Sequence, residues 1–174
     1  MTENKSTITT LHHLLDDDAR KFIVAEVQLK NSLPEWISIA GSVKLKTVLQ
    51  KYLDLVQQHI LALSEFIENE DINSLSTSNR VMHAFIEEAN EKLSICADSV
   101  VRDACLLANI QSVNHYKISL YGTAAAFAKA LNMEKQAMIF HEAEVNEKQI
   151  DDRLSQLAEY EINFNARSPI ALHS

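Results

Sequence analysis

The chain has 174 residues, 47% of them hydrophobic, and a formal net charge of −8. This length suits one domain whose core needs no disulfide or metal to fold, and the negative charge argues against nucleic acid or an anionic membrane as a partner. Only 6% of the residues are aromatic, and there are only two glycines and two prolines. This composition is typical of long helices rather than of a sandwich or a barrel.

The first predicted helix begins near Thr9 or Thr10, either of which can cap it, and continues with apolar residues at helical spacing. Pro34 is expected to kink or end this helix. Gly41 is expected to supply the left-handed residue that closes it, and Ser42 is placed to cap the next helix. The sequence therefore predicts a helix boundary at residues 41–42.

The second predicted helix carries an apolar stripe from Leu45 to Phe66 and ends in an acidic and polar stretch over residues 68–78. A short helix follows over residues 79–95. Two more long helices are predicted after it. The first is capped by Asp98 or Ser99 and runs to residue 132, and the second carries its stripe over residues 139–157. No alternation long enough for a strand occurs.

Four helices of roughly 30 residues would each be about 45 Å long, which favours side-by-side packing. The sequence predicts an all-α fold, a four-helix bundle with an extra short helix in the long crossover between helices two and three, as in ferritin-like folds. We place this single domain at residues 9–163, between irregular tails at 1–8 and 164–174.

Each long helix has a polar residue near its midpoint, three or four positions from apolar residues of its inward stripe. These residues are Glu26, His59, Asn114 and Glu147. Buried charges are costly unless they are paired, so four such side chains at similar depth are expected to meet. The alternative is that each lies at the edge of its stripe and contacts water.

A dinuclear iron site in a bundle needs several carboxylates and Glu-x-x-His pairs. None of the seven histidines follows a glutamate by three residues. Two carboxylates, an imidazole and an amide carry too little negative charge for two iron ions, so we expect no metal. The alternative left open is one weakly bound iron or zinc ion on Glu26, His59 and Glu147.

Several segments resemble the motifs of the YciF-type ferritin-like proteins. Residues 101–104 (VRDA) and 114–123 (NHYKISLYGT) resemble the R-D-A and E-H-Y-E-I-A-x-Y-G-T elements of that family. Residues 25–29 (AEVQL) with 32–34 (SLP), and 147–151 (EKQID), are similar to its A-E-K-Q-L, A-L-P and E-E-K-x-x-D segments. The resemblance implies a ferritin-like bundle, commonly dimeric, from bacterial proteins linked to stress responses, with a candidate di-iron centre in typical members.

The chain departs from this family where the metal would bind. Both acidic positions of the E-H-Y-E element are replaced, by Asn114 and Lys117, and the E-E pair becomes Asn146-Glu147. Residues 52–56 replace the H-x-x-E-T segment and lose its His and Glu. An ammonium at position 117 would repel a cation, or would itself pair with the glutamates. The predicted buried polar network consists of Glu26, His59, Asn114, Lys117 and Glu147.

Two functions remain open. The first is a non-catalytic stress-related bundle protein that acts through assembly or partner binding and has lost its metal site. The second is a metal-dependent oxidase or peroxide-handling enzyme with an atypical centre. No phosphate loop, nucleophile elbow or zincin motif occurs, and we expect no catalytic residues and no cofactor. A homodimer is expected through a second apolar edge, formed by Leu53, Ile60, Leu61 and Phe140.

The sequence also indicates a location. Cys96 and Cys105 lack C-x-x-C spacing and are expected to be reduced, packed thiols in a reducing compartment. Residues 1–5 lack the apolar segment of a secretory signal, and no run approaches the roughly 20 apolar residues of a membrane span. We therefore predict a cytoplasmic protein.

Overall fold

A computed structural model of the chain describes residues 7–72 and 78–167. The residues in these ranges form helices and short connections, without a strand, which confirms the all-α prediction. The helices are α1 Leu11–Ile39, α2 Val43–Asn69, α3 Arg80–Ser94, α4 Ser99–Ala130, α5 Glu134–Leu157 and α6 Asn163–Ala166, with a π-helical segment, Ala158–Ile162, between α5 and α6. Residues 1–6, 73–77 and 168–174, which include most of both predicted tails, lie outside the described residues.

The four long helices form a closed ring of contacts, in which α1 packs on α2 and α4, and α5 packs on the same two helices. Helix α3 lies outside this ring and packs on α1 and α4. The structure therefore confirms a four-helix bundle with a short additional helix between the second and third long helices.

Local hydrogen bonds explain where the helices begin. The side chains of Thr10, Ser42, Asn79 and Asp98 accept hydrogen bonds from backbone N–H groups in the first turns of α1, α2, α3 and α4, respectively. Such caps satisfy donors that have no partner within the helix. The sequence predicts the caps Thr10, Ser42 and Asp98. It also predicts that the short helix begins at residue 79, the fourth cap.

Helix α1 does not end at Pro34 but continues to Ile39. A proline inside a helix removes one hydrogen bond and crowds the preceding turn. Leu33 and Trp36, on either side of Pro34, are buried in the core. Tertiary packing of these two side chains thus offsets the local cost.

The expected left-handed conformation at Gly41 is wrong, because neither glycine has a positive φ. The extended residue Ala40 leads the chain out of α1. Gly41 instead allows a close approach to α4, since a Cβ there would lie 3.2 Å from Asp103 Oδ2 and 3.2 Å from Ser99 Cβ, which is a tight contact. Its N–H donates to Asp103 Oδ1 at 2.8 Å.

The apolar core has two parts. One surrounds Leu29 on α1 and Ile110 on α4, and the other surrounds Phe22 on α1 and Phe66 on α2. On α2, α4 and α5, the predicted inward polar residue falls between the residues of the first part and those of the second, and on α1 Glu26 lies directly after Ala25, where the first part begins. The bundle therefore has a polar layer between two apolar parts.

The predicted second apolar edge is only partly exposed. Leu61 is 71% exposed, and Leu53 and Ile60 are partly buried. Phe140 was wrongly assigned to this edge, because it is 1% exposed and packs edge-to-face on Phe66 with ring centroids 5.2 Å apart. Phe140 therefore belongs to the inward stripe of α5, together with Ala143 and Ile150.

Two further features concern the chain as a whole. The helical chain extends to Ala166, so it continues into the segment predicted as an irregular tail after residue 163. Within residues 7–72 and 78–167, no helix combines the length and hydropathy that crossing a membrane would require.

Candidate functional site

The candidate site is the polar layer in the middle of the bundle. Helix α1 supplies Glu26, α2 supplies His59, α4 supplies Asn114 and Lys117, and α5 supplies Glu147. All five side chains are buried, and none is more than 4% exposed. The structure thus brings together all five residues of the polar network proposed from the sequence.

Lys117 is the centre of this network. Its Nζ atom lies 2.5 Å from Glu147 Oε1 and 3.0 Å from Glu26 Oε2. The ammonium therefore bridges carboxylates from two different helices, α1 and α5. Buried ion pairs of this kind stabilise a fold only where the charged groups also have hydrogen-bond partners on their other atoms.

The second oxygen of each carboxylate also has partners. Glu26 Oε1 accepts a hydrogen bond from the Tyr121 hydroxyl. Glu147 Oε2 accepts from the Tyr52 hydroxyl at 2.8 Å and from Asn114 Nδ2 at 2.7 Å. Each carboxylate therefore has a hydrogen-bonded oxygen and an oxygen that is ion-paired with Lys117, which offsets part of the cost of burying it.

His59 is the least satisfied member. Its Nδ1 atom lies 3.3 Å from Glu26 Oε1 and 3.5 Å from Glu147 Oε1, within ion-pair distance but outside hydrogen-bond geometry. Its Nε2 atom is buried and has no hydrogen-bond partner among the described residues. The ring packs edge-to-face on Tyr121 at 5.2 Å.

The charges in this layer determine one another's ionisation. Burial lowers the pKa of Lys117, but the Glu147 and Glu26 carboxylates outweigh it, and the pKa lies above its ordinary value. Burial raises the pKa of Glu26, but Lys117, His59 and Tyr121 outweigh it, and the pKa is lowered. For Glu147 burial dominates, and the pKa stays raised despite Lys117. Lys117 is therefore cationic at neutral pH.

The same layer contains a set of atoms that could ligate a metal. One atom each from Glu26, His59 and Glu147 lie within 4.8 Å of one another. However, Lys117 Nζ already contacts one oxygen of each glutamate, so a cation there would meet an ammonium. One imidazole and two carboxylates also leave no spare carboxylate to bridge two ions. These residues do not fit a dinuclear iron centre.

Sequence reasoning missed Tyr52 and Tyr121 as members of the site, because it counted both as apolar stripe residues. Burial and the neighbouring carboxylates raise the pKa of each well above its ordinary value, so both hydroxyls remain hydrogen-bond donors. The sequence nevertheless contains a signal that both tyrosines belong to the site. Tyr121 lies four residues after Lys117, and Tyr52 lies seven before His59, so each shares a helix face with a network residue.

Asp103 is a further buried carboxylate, outside the central layer. Its two oxygens accept from the backbone N–H groups of Gly41 and Ser42, at 2.8 and 2.7 Å. The sequence resemblance included this residue in the R-D-A element without indicating its role. Asp103 anchors the turn between α1 and α2 to α4.

A second group of potential ligands lies at the surface. His12 Nε2 is 3.0 Å from Glu70 Oε2 and 3.7 Å from Asp16 Oδ1. His12 is largely exposed, and the contacts join the start of α1 to the end of α2. In this arrangement His12 and Glu70 form a surface hydrogen bond.

Comparisons with known proteins agree with this architecture. The sequence profile of the family described as "Domain of unknown function (DUF892)" matches residues 10–167. The chain is 32% identical to Protein YciF of Escherichia coli (strain K12) over 157 residues, which cover 90% of this chain and 92% of that protein.

Two solved structures are similar to the whole bundle. The E. coli stress protein YciF superposes with a TM-score of 0.81 at 29% identity, covering 90% of this chain and 99% of that one. YcfI of Rhodopseudomonas palustris, named as a candidate structural protein, superposes with a TM-score of 0.83 at 28% identity, covering 88% and 98% of the two chains. The resemblance found in the sequence motifs is confirmed, and the chain belongs to the DUF892 family, which includes YciF-like proteins.

Proposed function

We propose that this protein is a non-catalytic, stress-related helical-bundle protein that acts through assembly or partner binding, and that Lys117 fills the position of a lost metal centre. The observation that carries the proposal is the bridge from Lys117 Nζ to Glu147 Oε1 and Glu26 Oε2, at 2.5 and 3.0 Å. These oxygens are the groups that a metal would need. In this chain they neutralise an internal ammonium.

The relatives support the biological part of this proposal. The similar E. coli protein is named as a stress protein, and the similar R. palustris protein as a candidate structural protein. Neither name includes a reaction. A role that depends on the fold and its surface, rather than on chemistry in the core, agrees with both names.

Assembly is supported by an apolar area on the α2–α5 face. Leu61 is 71% exposed and Met138 is 72% exposed. Glu65 lies one turn after Leu61, Lys135 lies one turn before Met138, and the ion pair between Glu65 and Lys135 spans 3.9 Å. The two apolar side chains therefore share one face, and we expect it to form the contact of a cytoplasmic homodimer.

The first experiment compares metal content and activity. The parent and the Lys117→Glu variant are expressed with added iron, and bound metal is measured by elemental analysis. Fe²⁺-dependent consumption of oxygen and peroxide is then measured for both. We expect a substoichiometric metal content and no turnover for the parent.

Lys117→Glu removes the internal cation and adds the acidic residue that the E-H-Y-E motif carries at this position. We expect this variant to retain more iron or zinc than the parent. Lys148→Glu changes the same residue type on the surface, where Lys148 pairs with Glu144, and serves as the control. Equal metal content in the parent and Lys117→Glu would show that Lys117 is not what displaces the metal.

The second experiment tests the homodimer. Sedimentation velocity of the parent should show a dimer, and Leu61→Lys should shift the distribution towards monomer without changing the helical circular dichroism signal. A monomeric parent at all concentrations would contradict the assembly proposal.

One observation favours the alternative, a metal-dependent oxidase or peroxide-handling enzyme. His59 Nε2 is buried and has no hydrogen-bond partner in the described ranges 7–72 and 78–167, and the possible ligand atoms of Glu26, His59 and Glu147 are already close together. A single ion could use them if Lys117 turned away. Stoichiometric iron in the parent, together with turnover, would establish this alternative and overturn our proposal.

A further inference from the structure

Three potential metal ligands meet at the end of the bundle where α1 begins and α2 ends. His12 and Asp16 are four residues apart on α1, so they lie on one face of that helix. Glu70 follows directly after α2. One donor atom from each of these three residues lies within 4.8 Å of the other two. The group is separate from the buried polar layer and shares no residue with it.

The position of Glu70 is fixed by the way α2 ends. Asp71 has a positive φ of 52°, and the Ile72 N–H donates a hydrogen bond to the Ile67 carbonyl oxygen at 3.1 Å. A left-handed residue followed by such a bond is a common helix end, and it satisfies a carbonyl group that has no partner within the helix. The turn thus holds Glu70 opposite the start of α1, where Glu70 Oε2 lies 3.0 Å from His12 Nε2.

The donor atoms are spaced much as a metal ion requires. A tetrahedral ion with bonds of about 2.0–2.2 Å separates its ligand atoms by about 3.3–3.6 Å. The His12 Nε2 atom lies 3.0 Å from Glu70 Oε2 and 3.7 Å from Asp16 Oδ1, on either side of this range. Small side-chain shifts would therefore complete the geometry.

Asp16 has a carboxylate oxygen without a hydrogen-bond partner. Its Oδ1 atom is buried and accepts no hydrogen bond from residues 7–72 or 78–167. The Asp16 and Glu70 side chains are only 19% and 17% exposed. Burial raises the pKa of Asp16 and outweighs the opposing effect of His12, and the charge of Glu70 raises the pKa further. Two largely shielded carboxylates thus face one imidazole, and a divalent cation would satisfy both of them.

We propose that His12, Asp16 and Glu70 form a surface site for a divalent transition-metal ion of the Zn²⁺ class. One imidazole nitrogen and two carboxylate oxygens suit such an ion, whereas Mg²⁺ and Ca²⁺ favour oxygen ligands alone. His12 binds through the Nε2 lone pair with its ring proton on Nδ1, so the metal bond replaces the hydrogen bond to Glu70. Water completes the coordination, because the His12 side chain is 47% exposed.

A bound ion would join the start of α1 to the end of α2. Helix ends open more easily than helix centres, so a metal bridge is expected to slow hydrogen exchange in the first turns of α1. A site this exposed exchanges its ion with solvent, and dialysis against a chelator is expected to empty it. The inference does not depend on the proposed function, because the buried polar layer takes no part in it.

The test uses the full chain without an affinity tag, freed of metal by a chelator that is then removed. Calorimetric titration with Zn²⁺ should show one ion per chain. Free Zn²⁺ at about a hundred times its dissociation constant should raise the Tm by about 5–11 °C. His12→Ala and Glu70→Gln should each weaken Zn²⁺ binding by about tenfold or more and leave the helical circular dichroism signal unchanged.

The matched control is His115→Ala. His115 Nε2 also lies 3.0 Å from a carboxylate oxygen, on Asp151, but this pair is not part of the proposed site. The variant should bind Zn²⁺ as the parent does. The proposal is overturned if the parent binds no Zn²⁺, or if the parent and His12→Ala bind it with equal affinity, which would place the ion elsewhere. Equal weakening by His115→Ala and His12→Ala would also overturn it, because it would indicate unspecific binding by surface histidines.

Discussion

Lys117→Met is the most direct test of the buried network. The substitution keeps an unbranched side chain of similar length but removes the ammonium that contacts Glu26 and Glu147. In the parent, this ammonium faces both carboxylates from within the layer. The variant has one more uncompensated negative charge, which the protein can remove only by binding a proton.

The cost follows from the unfolded-state pKa of a glutamate, 4.5. Keeping one carboxyl protonated costs about 1.4 kcal/mol for each pH step above that pKa, so about 3.4 kcal/mol at pH 7 and about 0.7 kcal/mol at pH 5. The carboxyl that stays protonated in the variant binds its proton more tightly in the folded state than in the unfolded state, so the variant approaches the stability of the parent at low pH and falls behind it as the pH rises. For a chain of this size, the pH 7 deficit corresponds to a Tm lower by about 7–14 °C.

Urea titrations of the parent and the variant at pH 5 and pH 7 measure this deficit. The control is Lys148→Met, because Lys148 also lies 2.5 Å from a glutamate oxygen but on the surface. Its effect should stay below about 1 kcal/mol at both pH values. Equal free energies of unfolding for the parent and Lys117→Met at pH 7 would refute the reasoning. A stability deficit of the variant that is the same at pH 5 and pH 7 would also refute it.

Three further substitutions test the layer and its support. Tyr52→Phe removes the 2.8 Å hydrogen bond to Glu147 and should lower the free energy of unfolding by about 1–3 kcal/mol in urea; an unchanged midpoint would mean that the Asn114 hydrogen bond to the same oxygen is sufficient. Asp103→Ala should cost a similar ~1–3 kcal/mol, because it leaves two N–H groups of the α1–α2 turn without their acceptor. Glu26→Gln tests pH dependence: the pKa of Glu26 is lowered in the folded state, so ionisation stabilises the parent above pH 4.5 and this benefit is lost as the pH falls further. The stability gap between parent and Glu26→Gln should thus narrow only below about pH 4.5, and a gap that narrows between pH 7 and pH 5 would contradict this assignment.

Much of the fold was predictable because its signals are local. Thr10, Ser42 and Asp98 cap helices by bonding to N–H groups within three residues, so sequence spacing suffices to find them. Pro34 shows where prediction from local signals fails. Its cost is local, but the burial of Trp36 that offsets it depends on a distant helix.

The candidate site was predictable to the same degree. Glu26 and Glu147 interrupt the apolar stripes of their helices, and the sequence of one helix is enough to show this. Tyr52 and Tyr121 do not interrupt them, since a tyrosine counts as apolar until a partner for its hydroxyl is known. That partner lies 95 residues away in each case. The part of the site that sequence reasoning missed is therefore the part set by contacts between helices.

The polar layer between the two apolar parts of the core also fixes how the helices align along the bundle axis. Leucine and alanine stripes alone would tolerate a slide of one helical turn, about 5.4 Å, with modest loss of packing. Such a slide would separate Lys117 from Glu26 or Glu147 and leave a buried charge without its partner. The ion pairs consequently favour one alignment of the four helices along the bundle axis. This alignment depends on the side chains of the chain itself and not on a bound metal ion.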